Sequence, residues 1–472
     1  MRNLKALIQR IKERVNINLH HMGFDVGPYL PEEPTLEQIP NFCALCGLSP
    51  HHPLHFRFSQ SCLAGSYFLD RCVVMSSVIY KSDIRGDELK RKGETFKADG
   101  VTIPMYEDEE IHIKDSFLAK TLVHNYSRDP NSPETFYIHS TISMPYANIH
   151  GSPVSGSFLG VGSTIDLTTV QNCVVGEFAY VQAGEMGHHF VPPGRIWIAS
   201  HRSFDFKYNY NPKILEKYVN YRPGGVAGGK IVDFARRREH DFEMVFDSLR
   251  AQSGHAPPRS ALSPYAIIKG DCHLDRNVFV AQRAYLEDAH LGPGANAQEN
   301  CFIIQSHLEG ENITAHGGKI INTRMGRKIF VGFNSFIQGS DNQGLVVGDN
   351  SIILPHTIID LSEPLEIPKA TLVWGYVNNA ETLAQHSIPL EQFARINGDH
   401  QQGAMVFSGS GQAFVDAFTS RIDHILEVNG AYYDGQSGLG HAQLSRNISF
   451  NIIQPFPEGD LRGMYPYVDI RL

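Results

Sequence analysis

The sequence predicts a mainly β protein: a parallel β-helix, in which short strands wind into a three-sided column, with an α-helical insertion and a C-terminal helical region. Three observations predict it. Aliphatic residues recur every six positions, as at Val347, Ile353, Ile359 and Leu365 in "VGDNSIILPHTIIDLSEPL". Small residues hold fixed places in the same hexads, with Ser351 and Thr357 each four places after an aliphatic one. The hexads also vanish over residues 209–258 and again after 378, where helical patterns replace them. A period of six fits neither a helix nor simple strand alternation, so the chain must turn after each short strand. One large and one small side chain per hexad then face inward, while Gly or Asn takes the corner conformation.

The elements follow in chain order. Residues 1–60 hold an N-terminal helix and a Cys/His segment; Leu4, Ile8, Ile11, Val15 and Ile17 form one apolar face, suited to capping a core or to lying on a membrane surface. Residues 61–208 form the first β-helix part. Cys72, Val78 and Ile84 open it, with Ser76 and Ser82 at the small position, and Val161-Gly162 to Leu167 and Val175-Gly176 to Val181 continue it. Residues 209–262 are the helical insertion: "RPGGVAGGK" reads as a hinge rather than a phosphate loop, and "FARRREHDFEMVFDSLRAQ" as an amphipathic helix. Residues 263–378 form the second β-helix part. It runs through Ile268, Leu274, Val280 and Leu286, slips by one residue to Leu291, Ala297 and Ile303, and resumes at Met325, Val331 and Ile337. Residues 379–472 form a helical cap, "IPLEQFARI" and "GQAFVDAFTSRIDHILEV", followed by a tail expected to be irregular.

Composition narrows the functions. A formal charge of −9 argues against a nucleic-acid partner, because such proteins carry a basic face to neutralise phosphates. No stretch supplies the roughly twenty apolar residues of a membrane span, and the first residues are too polar for a signal peptide, so a cytoplasmic setting is expected. Seven cysteines in such a chain read as reduced thiols. "CALCGLSPHHPLHF" sets Cys43 and Cys46 beside His51, His52 and His55, a zinc-compatible grouping. Cys62 and Cys72 are too widely spaced to complete a second knuckle, and Cys72 fits a core position. Glu107 and Asp108 read as a solvated face, and Trp197 and Trp374 as packing residues or sugar platforms.

The units "VGEFAY", "VGFNSF" and "VGDNSI" resemble the hexapeptide-repeat, left-handed β-helix superfamily, over roughly residues 61–200 and 263–378. The left hand is what the resemblance implies; the general rule for parallel crossovers would give the opposite. The resemblance further implies a homotrimer with sites in clefts. Its usual chemistry moves an acyl group from acyl-CoA or acyl carrier protein to a small hydroxyl or amine acceptor, with an outward-facing histidine as general base. His316 and His356, on hexads at phases off the core, and His188, in a loop leaving the first column, are the candidates.

A second branch, of carbonic anhydrase type, holds zinc or iron on three histidines. His307 and His316 match its first two ligands, but the third position is Ile321, and His290, His356 or His188 would substitute only if folding brought one close. A sugar-phosphate nucleotidyltransferase would need an N-terminal domain for which hexads before residue 90 leave no room. The leading expectation is an acyltransferase acting on a small molecule with acyl-CoA as co-substrate. A metal-dependent hydratase or lyase and a non-catalytic scaffold follow.

Overall fold

A computed structural model describes residues 2–30, 43–48, 55–98, 101–125, 135–248, 257–341 and 343–471. The chain divides into two compact units, Met1–Arg195 with Pro212–Val232 and Ser449–Leu472, and Ile196–Asn211 with Asp233–Ile448. Each unit contains a column of stacked parallel strands.

The second column shows why the period is six. Val347 lies on the rung Leu274, Leu291, Leu308, Met325, Val347, Ile367, one residue from each successive parallel strand of one sheet. Ile353 belongs to a second rung, Leu262, Val280, Ala297, Thr314, Val331, Ile353, Val373, on another sheet. Ile359 belongs to the third, Ile268, Leu286, Ile303, Ile320, Ile337, Ile359, Val377. One hexad carries the chain from one side of the column to the next, and most of these side chains are fully buried in a single cluster. At about 25 cal/mol per Å² of apolar surface removed from water, such rungs are the main source of stability.

Corners are turned by residues in the left-handed region, including Asn300 (φ 59°), Asn334 (φ 50°) and Asn350 (φ 58°). Asparagine tolerates this region better than other residues with a Cβ. The small position has a hydrogen-bonding reason. Ser335 Oγ accepts from Thr357 N at 3.3 Å, and Ser306 Oγ from Thr323 N at 3.1 Å, so each hydroxyl serves a backbone N–H of the next coil. The inserted helices Lys230–Arg236 and Glu239–Ser248 bring Phe234 and Phe242 against Phe302 of the strand Phe302–Ile304, at 5.3 and 6.2 Å between ring centres. The C-terminal helix Gly411–Val428 is capped by Ser410, whose side chain accepts from Ala413 N, and buries Phe414, Phe418, Ile422 and Leu426. Trp374 is fully buried with Phe206 beside it, which makes it a packing residue.

The first column is built the same way on a shorter coil. There Asn148 pairs with Thr164 and Thr164 with Tyr180. In the second column Phe302 pairs with Lys319 and Lys319 with Phe336, so each of those turns holds one residue more. Cys72, Val78 and Ile84 are buried, one on each of three sheets. Two hexad positions are corrected. Ser76 is half-buried at a left-handed corner (φ 50°), and its neighbour Ser77 is the inward small residue. Leu167 likewise forms a corner (φ 52°), while Ile165 fills the rung between Ile149 and Val181.

The column also begins before residue 61, with the strands Ala44–Leu48 and His55–Ser61. The tail is not irregular: Ser449–Ile453 pairs antiparallel with Ala44–Leu48, and Tyr465–Arg471 with His55–Ser61. These strands cover edges that would otherwise present unpaired N–H and C=O groups. The helix Arg2–Leu19 buries Leu4, Ile8, Ile11 and Val15 as expected, but Ile17 is 74% exposed and Leu19 completes the face. Two residues beyond Val15 is the far side of a helix turning about 100° per residue. Arg10 reaches Asp115 of the column at 3.4 Å. Among the described residues no helix is long and apolar enough to cross a membrane.

Candidate functional site

The predicted histidines fall into separate environments. His316 follows the strand Ile313–Thr314, and its Nδ1 lies 2.8 Å from Glu299 Oε2 on the preceding coil. Both side chains are buried, at 3% and 0% exposure. A carboxylate this close to an imidazole stabilises the imidazolium formed when the ring takes a proton. The Phe333 ring packs 5.3 Å from the imidazole.

Beside it, Lys319 is buried and donates to the Gly317 carbonyl at 2.6 Å; burial lowers its amine to about 8. Burial also pushes the nearby Cys301 thiol well up. His356 is a corner residue (φ 59°) and fully buried, and its carbonyl accepts from the Tyr210 hydroxyl at 2.7 Å. His316 and His356 therefore lie off the aliphatic rungs and are closed off from solvent. His188 is exposed at a corner (φ 51°), with Nδ1 3.1 Å from His21 Nε2 at the end of the N-terminal helix.

His307 and His316 stand on different sheets. His307 begins the strand His307–Gly310, its ring 4.2 Å from that of His290, whereas His316 adjoins the sheet containing Ile313–Thr314. Ile321, at the position of a third ligand, ends the strand Lys319–Ile321 and is buried. All seven cysteines are free. Burial raises the Cys46 thiol to about 11, and His55 Nδ1 contacts Glu110 Oε1 at 2.7 Å. His51 and His52 lie outside the described residues.

The first column holds a second cluster that the sequence reasoning does not single out. On its sheet the strands Leu122–His124, Asn148–His150, Thr164–Asp166 and Tyr180–Gln182 place His124, His150 and Asp166 in register on the outer side, with Val123, Ile149 and Ile165 inward. His150 Nδ1 meets Asp166 Oδ1 at 2.8 Å, and the Tyr180 hydroxyl donates to Asp166 Oδ2. His124 packs edge-on to His150 at 5.1 Å, with its Nε2 3.5 Å from Glu88 Oε1. His124, His150, Asp166 and Tyr180 are all under a tenth exposed. The signal is one of spacing: His150 and Asp166 are one coil apart, and parallel pairing turns that separation into contact.

Comparison with known proteins places this architecture. A family model described as "Hexapeptide repeat including loop" matches residues 101–223. The crystal structure of a "putative acetyltransferase" from Desulfovibrio desulfuricans G20 is 51% identical, with a TM-score of 0.93 over 100% of this chain and 99% of that one. Another "putative acetyltransferase", from Bacillus cereus, is 12% identical with a TM-score of 0.17, covering 38% of this chain and 93% of its own, and bears on nothing here. Among curated proteins none matches. With half its residues shared with the Desulfovibrio protein over its whole length, and its rungs stacked at hexad intervals, the chain belongs to the hexapeptide-repeat superfamily.

Proposed function

We propose that the protein transfers an acyl group from an acyl thioester, acyl-CoA or acyl carrier protein, to a small hydroxyl or amine, with His316 as general base and Glu299 as its positioning residue. The observation that carries this reading is the buried approach of 2.8 Å between His316 Nδ1 and Glu299, an ion-pair contact that sets a carboxylate beside the ring to stabilise its imidazolium. The name of the Desulfovibrio relative supports the same reaction class. In this mechanism Nε2 takes the acceptor's proton as the acceptor oxygen or nitrogen bonds to the thioester carbonyl carbon. The tetrahedral oxyanion then collapses, the carbon–sulfur bond breaks, and the imidazolium returns the proton to the departing thiolate. The left hand of the coil, a homotrimeric assembly and a cytoplasmic setting belong to the same proposal.

The His150–Asp166 pair favours a second assignment of the base, because its Nδ1 contact is a hydrogen bond and a tyrosine donates to the other carboxylate oxygen. Thiol release from acetyl-CoA, measured against a panel of small alcohols and amines, separates the two. His316→Ala is expected to lower turnover by about 10²–10⁴-fold, the range for a lost general base, and also to lower the melting temperature, because the buried Glu299 carboxylate loses its ion-pair partner, so turnover is compared at a temperature where both proteins are folded. Retained turnover in that variant together with loss in His150→Ala would move the base to the first column. Absence of thiol release by the unaltered protein with any acceptor would overturn acetyl transfer from coenzyme A.

A further inference from the structure

The outer side of the second column carries a stack of imidazoles unrelated to the dyads. The strands His273–Leu274, His290–Leu291 and His307–Gly310 pair in register, so that Leu274, Leu291 and Leu308 point inward and His273, His290 and His307 align outside. Ring centres are 4.7 Å apart between His273 and His290, and 4.2 Å between His290 and His307. Parallel strands are spaced about 4.8 Å apart, so the register alone produces this stack.

Stacking does not account for Asp275. Its carboxylate sits between two of the rings, Oδ1 at 3.7 Å from His273 Nε2 and Oδ2 at 3.6 Å from His290 Nε2. Both separations are too long for hydrogen bonds. They are close to the roughly 3.4 Å between neighbouring ligand atoms around a tetrahedral ion bound at about 2.05 Å. One donor atom from each of the three residues falls within 4.8 Å of the others. All three side chains are open to solvent, at 65%, 38% and 33% exposure for His273, Asp275 and His290, so an ion has an entry path.

We propose that His273, Asp275 and His290 form a binding site for a divalent transition ion of the zinc class, with a fourth position left to water. Two imidazoles and one carboxylate select zinc, nickel or copper over magnesium or calcium, which prefer oxygen ligands. His307 stacks on His290 and, with its Nε2 3.5 Å from Glu309, supports that ring rather than ligating. The ion would tie the first coil of the column to the second. That coil is the column's loose end: Ile268, Cys272 and Leu274 are only partly buried, whereas the rungs beyond are fully buried. The site is independent of the acyl-transfer reading, and its test uses no activity.

The full-length protein, dialysed against chelator and then freed of it, is titrated calorimetrically with zinc sulfate and separately with magnesium chloride, and its melting temperature is followed with each. Expected are zinc binding in the micromolar range, a rise in melting temperature with zinc, and no response to magnesium. The His273→Asn/His290→Asn variant should weaken zinc binding more than tenfold and lose the thermal gain. Because these positions are exposed, its melting temperature without metal should match that of the unaltered protein; Asp275→Asn provides the same readout should the double variant fold poorly. Zinc affinity unchanged in the variants, or no zinc binding at tens of micromolar, would overturn the site.

Discussion

The two columns place a histidine against a carboxylate by different routes. In the first, His150 and Asp166 lie on paired strands, where the register fixes both side chains perpendicular to the sheet and brings the Tyr180 hydroxyl to the same carboxylate from the next coil. In the second, Glu299 and His316 occupy equivalent turns one coil apart, and the following turn contributes the Phe333 ring rather than a hydrogen-bonding group. One coil of separation is enough to make a contact in a stacked column, whether the residues lie in strands or turns. What differs is the third member: the strand pair is held by a hydroxyl, and the turn pair by an aromatic wall.

The columns should be most alike in their rungs, and the largest effects on stability are expected there. Ile320 lies between Ile303 and Ile337, and Ile165 between Ile149 and Val181, all fully buried. Ile320→Ala and Ile165→Ala should each cost about 2–5 kcal/mol, the transfer term plus an unfilled cavity, measured from denaturant midpoints at constant slope. A cost under about 1 kcal/mol for either would mean that its column collapses around the gap and is not built on close-packed rungs.

The rungs are the legible part of the sequence, because Val347, Ile353 and Ile359 report three sides of one coil at a spacing visible within a single line. The dyads are not legible, because their partners become neighbours only across a full coil, and at neither dyad is that coil a whole number of hexads. Insertions hide the coil length further: the interval from His124 to His150 exceeds that from His150 to Asp166, although both pairs stand in register. His316 is marked by its phase in a hexad, while Glu299 carries no local sign. The tail strands leave little trace, because Ser449–Ile453 and Tyr465–Arg471 pair with segments near the opposite end of the chain, and the turn-rich residues between them dominate the local pattern.

A middle-sized effect should separate the columns. Lys319 belongs to an outward ladder of Phe302, Lys319 and Phe336, with its amine 5.6 Å from the Phe302 ring centre. Burial lowers its folded-state value from 10.5 to about 8. Below about pH 8 both folded and unfolded chains are protonated there, and the cost of burying the charge is fully present. Between about 8 and 10.5 only the unfolded chain binds the proton, so this contribution makes stability rise with pH. Lys319→Met should therefore stabilise the protein at pH 7, by at most about 3 kcal/mol from the size of the shift, with a gain that shrinks by about pH 9.5. Denaturant unfolding at the two pH values checks it. A destabilised variant at pH 7 would mean that the bond from the amine to Gly317 outweighs the charge burial.

The smallest expected difference lies in the hydroxyls that line the corners. Ser77 Oγ donates to the Met75 carbonyl at 2.7 Å and accepts from Ser116 N at 3.1 Å, whereas Ser335 Oγ donates to Leu354 O at 3.2 Å and accepts from Thr357 N at 3.3 Å. Replacing either by alanine takes the hydroxyl from a buried N–H, a loss of about 1–3 kcal/mol. The shorter pair should cost more, so Ser77→Ala is expected to lower the denaturant midpoint further than Ser335→Ala. The reverse order would mean that the shorter coil relaxes to recover its N–H group while the longer one cannot. The tighter winding of the first column would then be the more adaptable of the two.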